Sequence, residues 1–214
     1  MEITAEMVRS LRERSGAGIM ECKSALAEAQ GDAEHALQIL RKRGLAGAAK
    51  RAGRTTSEGT VSSYIHPGGR VGVMVEINCE TDFVARTAEF QELVKNLAMH
   101  IAASQPRFVS REEVSEATLA SEREIYEAQA RSSGRPEAAL PKIVEGKIAK
   151  FFQEACLMEQ PYVRDPNQTV KDYLTSIIAK TGENIRVRRF VRYALGEALS
   201  GEAGRPAPDA PGPA

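Results

Sequence analysis

Residues 71–86 read VGVMVEINCETDFVAR, and this stretch predicts where a β-strand gives way to a helix. Val71, Val73, Val75 and Ile77 alternate with other residues, which is the pattern of a strand with one buried face. Beyond this stretch the apolar residues recur at spacings of three and four, which predicts a helix. Phe83 stands at the junction between the two. Its ring can pack into the core or be presented to a partner as a wedge, and the local sequence leaves both open.

The strand in this stretch is predicted to pair with two others. The turn-forming sequence HPGGR at residues 66–70 joins it to a short β-type run at residues 61–65, which predicts a hairpin. Residues 185–193 combine β-branched and aromatic residues with four arginines, so we expect a third strand in the same sheet. These arginines have three possible roles: they can bind a phosphate group, form a solvated face, or pair with carboxylates. Together with the helices, this sheet indicates an α+β fold.

Residues 1–44 are predicted to form a separate domain of three short helices. Glycine-containing breaks separate the helices, and Gly44 is expected to end the third. A bundle this small buries little apolar area and is suited to docking on another protein. Ile19 and Met20 follow a flexible turn and lie outside the clearest inward stripe, so we expect them to be exposed for that purpose.

Residues 45–58 are predicted to be a basic linker. The run RKRGLAGAAKRAGR at residues 41–54 holds six basic residues, three glycines and no acid. It is either a solvated connector or a contact for phosphate or an acidic partner. The rest of the chain is divided into a core α+β subdomain at 59–109, a helical hairpin at 110–158, a carboxyl-terminal core helix and strand at 159–196, and a disordered tail at 197–214.

The predicted hairpin consists of two charge-rich helices that form an antiparallel coiled coil. The sequence SSGRP at residues 132–136 provides the turn, and the charged outer faces indicate that the hairpin projects into solvent. The alternative is a pair of helices packed flat on the core. The residues expected to face inward are Val114, Ala117 and Ile125 in the first helix and Val144, Ile148, Phe151 and Ala155 in the second.

Composition argues against several classes of function. Lys+Arg and Asp+Glu both number 29, so bulk charge does not attract the chain to nucleic acid or to an anionic membrane. The sequence has no apolar run of membrane-spanning length and no secretory signal pattern, which predicts a cytoplasmic protein. Cys22, Cys79 and Cys156 lack the spacing of a disulfide framework or zinc site and are expected to be buried. Glycine-rich phosphate loops are also missing, so we expect no enzyme activity, cofactor or metal.

Three motifs resemble those of bacterial translation elongation factor Ts, and the resemblance covers residues 2 to about 197. The first is VRSLRERSGAGIMECK at residues 8–23, and the second and most specific is TDFVA at residues 81–85. The third is GENI at residues 182–185, followed by VRRF at 187–190. The resemblance implies a guanine-nucleotide exchange factor for elongation factor Tu with an amino-terminal domain like ubiquitin-associated domains, an α+β core and a projecting helical hairpin.

The resemblance also implies which residues contact the partner. Arg12, Ile19, Met20 and Lys23 would dock on its GTPase domain, and family members usually have Met where this chain has Ile19. Thr81, Asp82, Phe83 and Val84 would intrude beside its nucleotide and magnesium site. The expected partner states are the GDP-bound and nucleotide-free forms.

This chain has only one copy of the sheet subdomain, as in the short members of the family. Those short members look like dimers in which two chains together form the core. We therefore expect a second chain to close the incomplete sheet, giving a two-plus-two complex in which His66 acts from the neighbouring subunit. Val191 stands where short forms can carry a subunit-linking cysteine, so no disulfide is available there. The alternatives are a ribosome- or RNA-associated protein that uses the basic linker and the arginine strand, and a scaffold that binds through residues 1–54 alone.

Overall fold

The computed structural model describes residues 3–197, so the predicted disordered tail lies almost entirely outside the described residues. The chain combines helices with two antiparallel sheets, as the α+β prediction requires. In chain order the elements are α1 Ala5–Ser15, α2 Ile19–Glu28, α3 Ala33–Arg51, β1 Glu58–Ile65, β2 Val71–Cys79, α4 Asp82–Ala85, α5 Ala88–Ser104, α6 Glu116–Ser132, α7 Leu140–Ala155, β3 Pro161–Tyr162, β4 Asp165–Thr169, α8 Val170–Thr181 and β5 Ile185–Ala194.

The larger sheet has the strand order β1-β2-β5, and both pairings are antiparallel. The predicted β-hairpin of β1 and β2, its turn and the returning carboxyl-terminal strand are therefore confirmed. Alternation along β2 sends Val73, Val75 and Ile77 into the core, where each is almost fully buried. Helices α5 and α8 supply the opposing apolar side chains, among them Phe90, Leu93, Leu97, Leu174 and Ile177.

Helices α1 to α3 enclose a second apolar cluster of their own. Thr4 and Asp32 cap α1 and α3 by accepting hydrogen bonds from the backbone N–H groups of Met7 and His35. Leu11, Cys22 and Leu26 are almost completely buried between the helices. The amino-terminal segment thus has a core separate from that of the sheet.

The prediction that Gly44 ends α3 is wrong, because the helix continues to Arg51 through most of the expected linker. A glycine inside a helix costs only about 1 kcal/mol. The extension of α3 packs on α8, where Gly44 faces Thr175 and Ala179, and Ala48 contacts the main core. Tertiary packing therefore outweighs the local glycine signal.

Helices α6 and α7 pack against each other on either side of the turn at residues 133–139. The inward stripe of α7 is as predicted, since Val144, Ile148, Phe151 and Ala155 are all buried. Of the residues predicted to face inward in the first helix, Val114 is buried but precedes α6, whereas Ala117 and Ile125 are exposed. The α6 side chains that pack with the buried residues of α7 are instead Leu119 and Tyr126. Lys147 of α7 lies over the Tyr126 ring, 5.3 Å from its centroid.

A small two-stranded sheet, β3 with β4, was not predicted from the sequence. It is anchored by His100 of α5, whose Nδ1 accepts the backbone N–H of Val163 at 3.2 Å. The Nε2–H then donates to Gln160 Oε1 at 2.9 Å, and the Gln160 amide donates to the Ser104 and Glu154 carbonyls. Burial lowers the pKa of His100, so the neutral ring maintains this network.

Candidate functional site

The wedge, residues 81–84, presents its ring to solvent. The Phe83 side chain is 79% exposed, which resolves the choice that the local sequence left open. Thr81 caps the one-turn helix α4 by accepting the N–H of Val84 at 3.3 Å. Asp82 pairs with Arg86 one turn later at 2.8 Å. A short capped turn thus carries an exposed aromatic ring beside a carboxylate.

A second group of predicted residues meets on the amino-terminal helices. Arg12, Ile19 and Lys23 line one surface cleft of about 480 Å³, here called the amino-terminal cleft. Its remaining lining residues are Ile3, Ala5, Val8 and Arg9, of which sequence reasoning named none as a contact residue. Ile19 is 58% and Met20 is 74% exposed, as predicted. The cleft combines apolar walls with basic side chains, which suits an apolar anchor next to an acidic group.

His66 does not join the wedge within one chain. It lies in the turn before β2, whereas Phe83 follows the far end of that strand. Nine residues of strand separate the two by about 30 Å. Its Nδ1 is 3.0 Å from the hydroxyl of Tyr64, and the ring is otherwise exposed.

One face of the large sheet, here called the open sheet face, is rich in apolar side chains that the described residues, 3–197, leave exposed. Met74 at its centre has Ser63 and Val191 as its strand neighbours, and Ile65 and Tyr193 flank Gly72. The exposed apolar side chains on this face and just beyond it are Val61, Ile65, Met74, Val191, Tyr193 and Leu195. A contiguous apolar surface of this kind marks an interaction site in a soluble protein.

Two of the four arginines of β5, Arg188 and Arg189, pair with one carboxylate, which was one of the three predicted readings. A bulge in the β2–β5 pairing brings both Arg188 and Arg189 to Glu76, at 3.5 and 2.7 Å. In the basic run at residues 41–54, Arg43 pairs with Glu28 and Arg54 with Glu80. These pairs reduce the positive field available to a phosphate.

The three cysteines are free and buried, as expected. Burial raises the pKa of the Cys79 thiol to about 11, with a further contribution from the charge of Glu183, so the thiol is protonated at neutral pH. Among residues 3–197 no cluster of three or more His, Cys, Asp or Glu side chains has a metal-binding arrangement. None of the helices in that range is long and apolar enough to cross a bilayer.

Exposed apolar side chains lie on capped helices and on the open sheet face, and surfaces of this kind are typical of sites that bind other proteins. Residues 47–197 match the model of the family described as Elongation factor TS. The chain is 58% identical over 198 residues to elongation factor Ts of Carboxydothermus hydrogenoformans, which covers 92% of this chain and 91% of that protein. It is 56% identical over 200 residues to the Geobacter metallireducens protein of the same name, covering 94% and 93%. The chain belongs to the elongation factor Ts family.

Proposed function

We propose that this chain promotes GDP release from elongation factor Tu, and that the Phe83 ring does so by disturbing the partner's magnesium and phosphate site. The observation that carries the proposal is the exposure of Phe83 on a capped turn. An aromatic ring that is mostly exposed in its own chain is a typical anchor for a partner's pocket. Asp82 beside it supplies a negative charge next to the partner's metal and phosphates.

The proposed mechanism needs no covalent step. In GTPases the nucleotide phosphates are held by backbone N–H groups, a lysine and a magnesium ion, and all of these contacts depend on close geometry. A ring inserted beside them weakens several contacts at once. If the chain binds nucleotide-free partner more tightly than the GDP form, linkage requires that GDP bind the complex more weakly by the same factor.

Docking is proposed to be the task of the amino-terminal helices, which we assign to the ubiquitin-associated-like class. Ile19 and Met20 would contact the GTPase domain of the partner, with Arg12 and Lys23 pairing with acidic groups around them. In this division the amino-terminal helices set the affinity for the partner, and the wedge sets the rate of GDP release. We further propose that α6 and α7 form a projecting antiparallel hairpin and that the protein works in the cytoplasm.

A homodimer is proposed to form through the open sheet face. The exposed apolar side chains project from this face of all three strands, so face-to-face packing of two chains fits better than strand addition. Such packing would give a two-plus-two complex with elongation factor Tu. It would also allow His66 of one chain to reach a partner molecule bound by the other.

The test measures the release of fluorescent GDP from purified elongation factor Tu, with and without this chain. We expect release to be accelerated in proportion to the concentration of the chain until it saturates. Binding to RNA is measured in parallel from 50 to 200 mM salt. Strong salt-dependent RNA binding without accelerated release would favour the ribosome- or RNA-associated alternative.

A further inference from the structure

We propose that Glu183 is a positioning residue that fixes the wedge in its active direction, an inference that rests on the proposed exchange function. Glu183 belongs to the GENI motif at residues 182–185, which has no role in the mechanism described so far. Gly182 ends α8 with a positive φ of 75°, and the chain then turns at once toward the wedge. The Glu183 side chain is thereby brought to the segment that precedes Phe83.

The Glu183 carboxylate makes three hydrogen bonds to the two residues before Asp82. Its Oε2 accepts the backbone N–H groups of Glu80 and Thr81, each at 3.1 Å. Its Oε1 accepts the Thr81 hydroxyl at 2.6 Å. Hydrogen bonds to an ionised acceptor are about twice as strong as neutral ones. One side chain from a position more than 100 residues away thus fixes the backbone at the start of the wedge.

These contacts control the ring through the Thr81 cap. Because the Thr81 hydroxyl donates its hydrogen bond to Glu183, its lone pairs are free to accept the N–H of Val84, at 3.3 Å. The Cys79 thiol also donates to the Thr81 carbonyl at 3.1 Å. A helix of four residues is not stable by itself, so α4 depends on this fixed start. The exposed Phe83 ring makes few contacts of its own and takes its direction from the turn beneath it.

The adjacent residue connects the same loop to the amino-terminal helices. The backbone N–H of Asn184 donates to the Glu80 carboxylate at 2.6 Å. The side-chain amide of Asn184 donates to the carbonyls of Ala52 and Arg54, at 3.3 and 2.9 Å, and both residues lie directly after α3. Glu183 therefore acts next to the point where the loop before the wedge is joined to the end of α3, the last helix of the amino-terminal domain.

The test is a double-mutant cycle that combines Glu183→Gln with Phe83→Ala. Glutamine keeps the size of the side chain but loses its charge and one of its two acceptor oxygens. We expect Glu183→Gln to lower the maximal rate of GDP release at least tenfold, with less than a threefold change in the half-saturating concentration of partner. In the Phe83→Ala background the same substitution should have no further effect, because it acts through the ring. Glu159→Gln, which alters another half-buried paired carboxylate, is the matched control and should leave release unchanged.

Equal slowing by Glu183→Gln with and without the Phe83 ring would overturn the inference, and so would an unchanged maximal rate in the single variant. Amide hydrogen exchange of the free protein provides a second measurement that does not depend on the partner. The N–H groups of Glu80 and Thr81 should lose protection in Glu183→Gln, whereas the N–H of Leu97 in α5 should not. If the unaltered chain fails to accelerate release, the proposed function fails, and retained protection at Glu80 and Thr81 would separately refute the positioning role.

Discussion

Replacing Met74 by aspartate tests the proposed dimer at the centre of the open sheet face. Met74 is 52% exposed in the isolated chain, so the substitution removes about half of the packing of a buried side chain, worth about 1 kcal/mol. Aspartate is also disfavoured in strands, and the intrinsic β-propensity scale spans about 1 kcal/mol, so the free energy of unfolding should fall by about 2 kcal/mol in total. The monomer therefore stays folded, and any large effect must arise from association.

The expected effect on the dimer is much larger. Complete burial of an aliphatic side chain is worth about 1.5–3 kcal/mol, and two copies of Met74 would each lose the half that is exposed in the monomer. Burying an unpaired carboxylate in each chain adds an effective penalty of several kcal/mol per ion. Even a combined loss of about 3 kcal/mol raises the dissociation constant roughly 100-fold.

Sedimentation equilibrium from nanomolar to tens of micromolar protein measures this difference. We expect the unaltered chain to be dimeric in the micromolar range and Met74→Asp to be monomeric there. Ile125→Asp is the matched control, since Ile125 is 47% exposed on α6 and lies away from the sheet. A monomeric unaltered chain at micromolar concentration, or a Met74→Asp variant that dimerises equally well, would refute the argument.

Three further predictions address docking, acid stability and thiol reactivity. Ile19→Asp should raise the half-saturating concentration of elongation factor Tu about tenfold or more in the release assay and leave the maximal rate unchanged; a lower maximal rate would contradict the separation of docking from release. Burial lowers the pKa of His100, so the unfolded chain binds a proton more readily than the folded chain does. Urea unfolding should therefore show a free energy of unfolding that falls as the pH drops below about 6.5. An equally steep fall in His100→Asn would assign the loss to other groups. Cys79 is buried with a pKa of about 11, so a thiol reagent at pH 8 should modify it only on unfolding, and rapid native-state labelling would show otherwise.

The elements that sequence reasoning predicted well are those specified by local patterns. The alternation of β2 and the three-four spacing of α5 each bury one face, and the structure buries those faces against each other. Thr4 and Asp32 cap α1 and α3 by accepting backbone N–H groups three residues further on, which are contacts that depend on local sequence alone. Local pattern and tertiary packing agree at all of these positions.

The predictions that failed depended on contacts between distant segments. Gly44 is a helix-ending signal in isolation, but α8 covers it and the helix continues. The few apolar residues of α6 fit more than one phase, and only its contact with α7 selects Tyr126 over Ile125. Among the site residues, the exposure of Phe83 was left open by the sequence, and the Glu183 contacts span more than 100 residues, a separation that no local pattern reports.

The central claim is that the Phe83 ring releases GDP by acting on the partner's magnesium and phosphate contacts. Only about a fifth of the ring is buried in its own chain, whereas a fully buried Phe→Ala change costs about 3–5 kcal/mol, so Phe83→Ala should cost about 1 kcal/mol of stability or less. An interface anchor contributes about 2 kcal/mol or more, which corresponds to at least a 30-fold slower release.

The most direct measurement compares GDP release from elongation factor Tu by the unaltered chain and by Phe83→Ala, at saturating concentrations, with magnesium present and with magnesium chelated. We expect release by the two chains to differ by at least about 30-fold in magnesium, and this difference to shrink when the ion is removed. Equal release rates in magnesium, together with a large loss of stability in Phe83→Ala, would contradict it, because the ring would then serve the fold and not the partner.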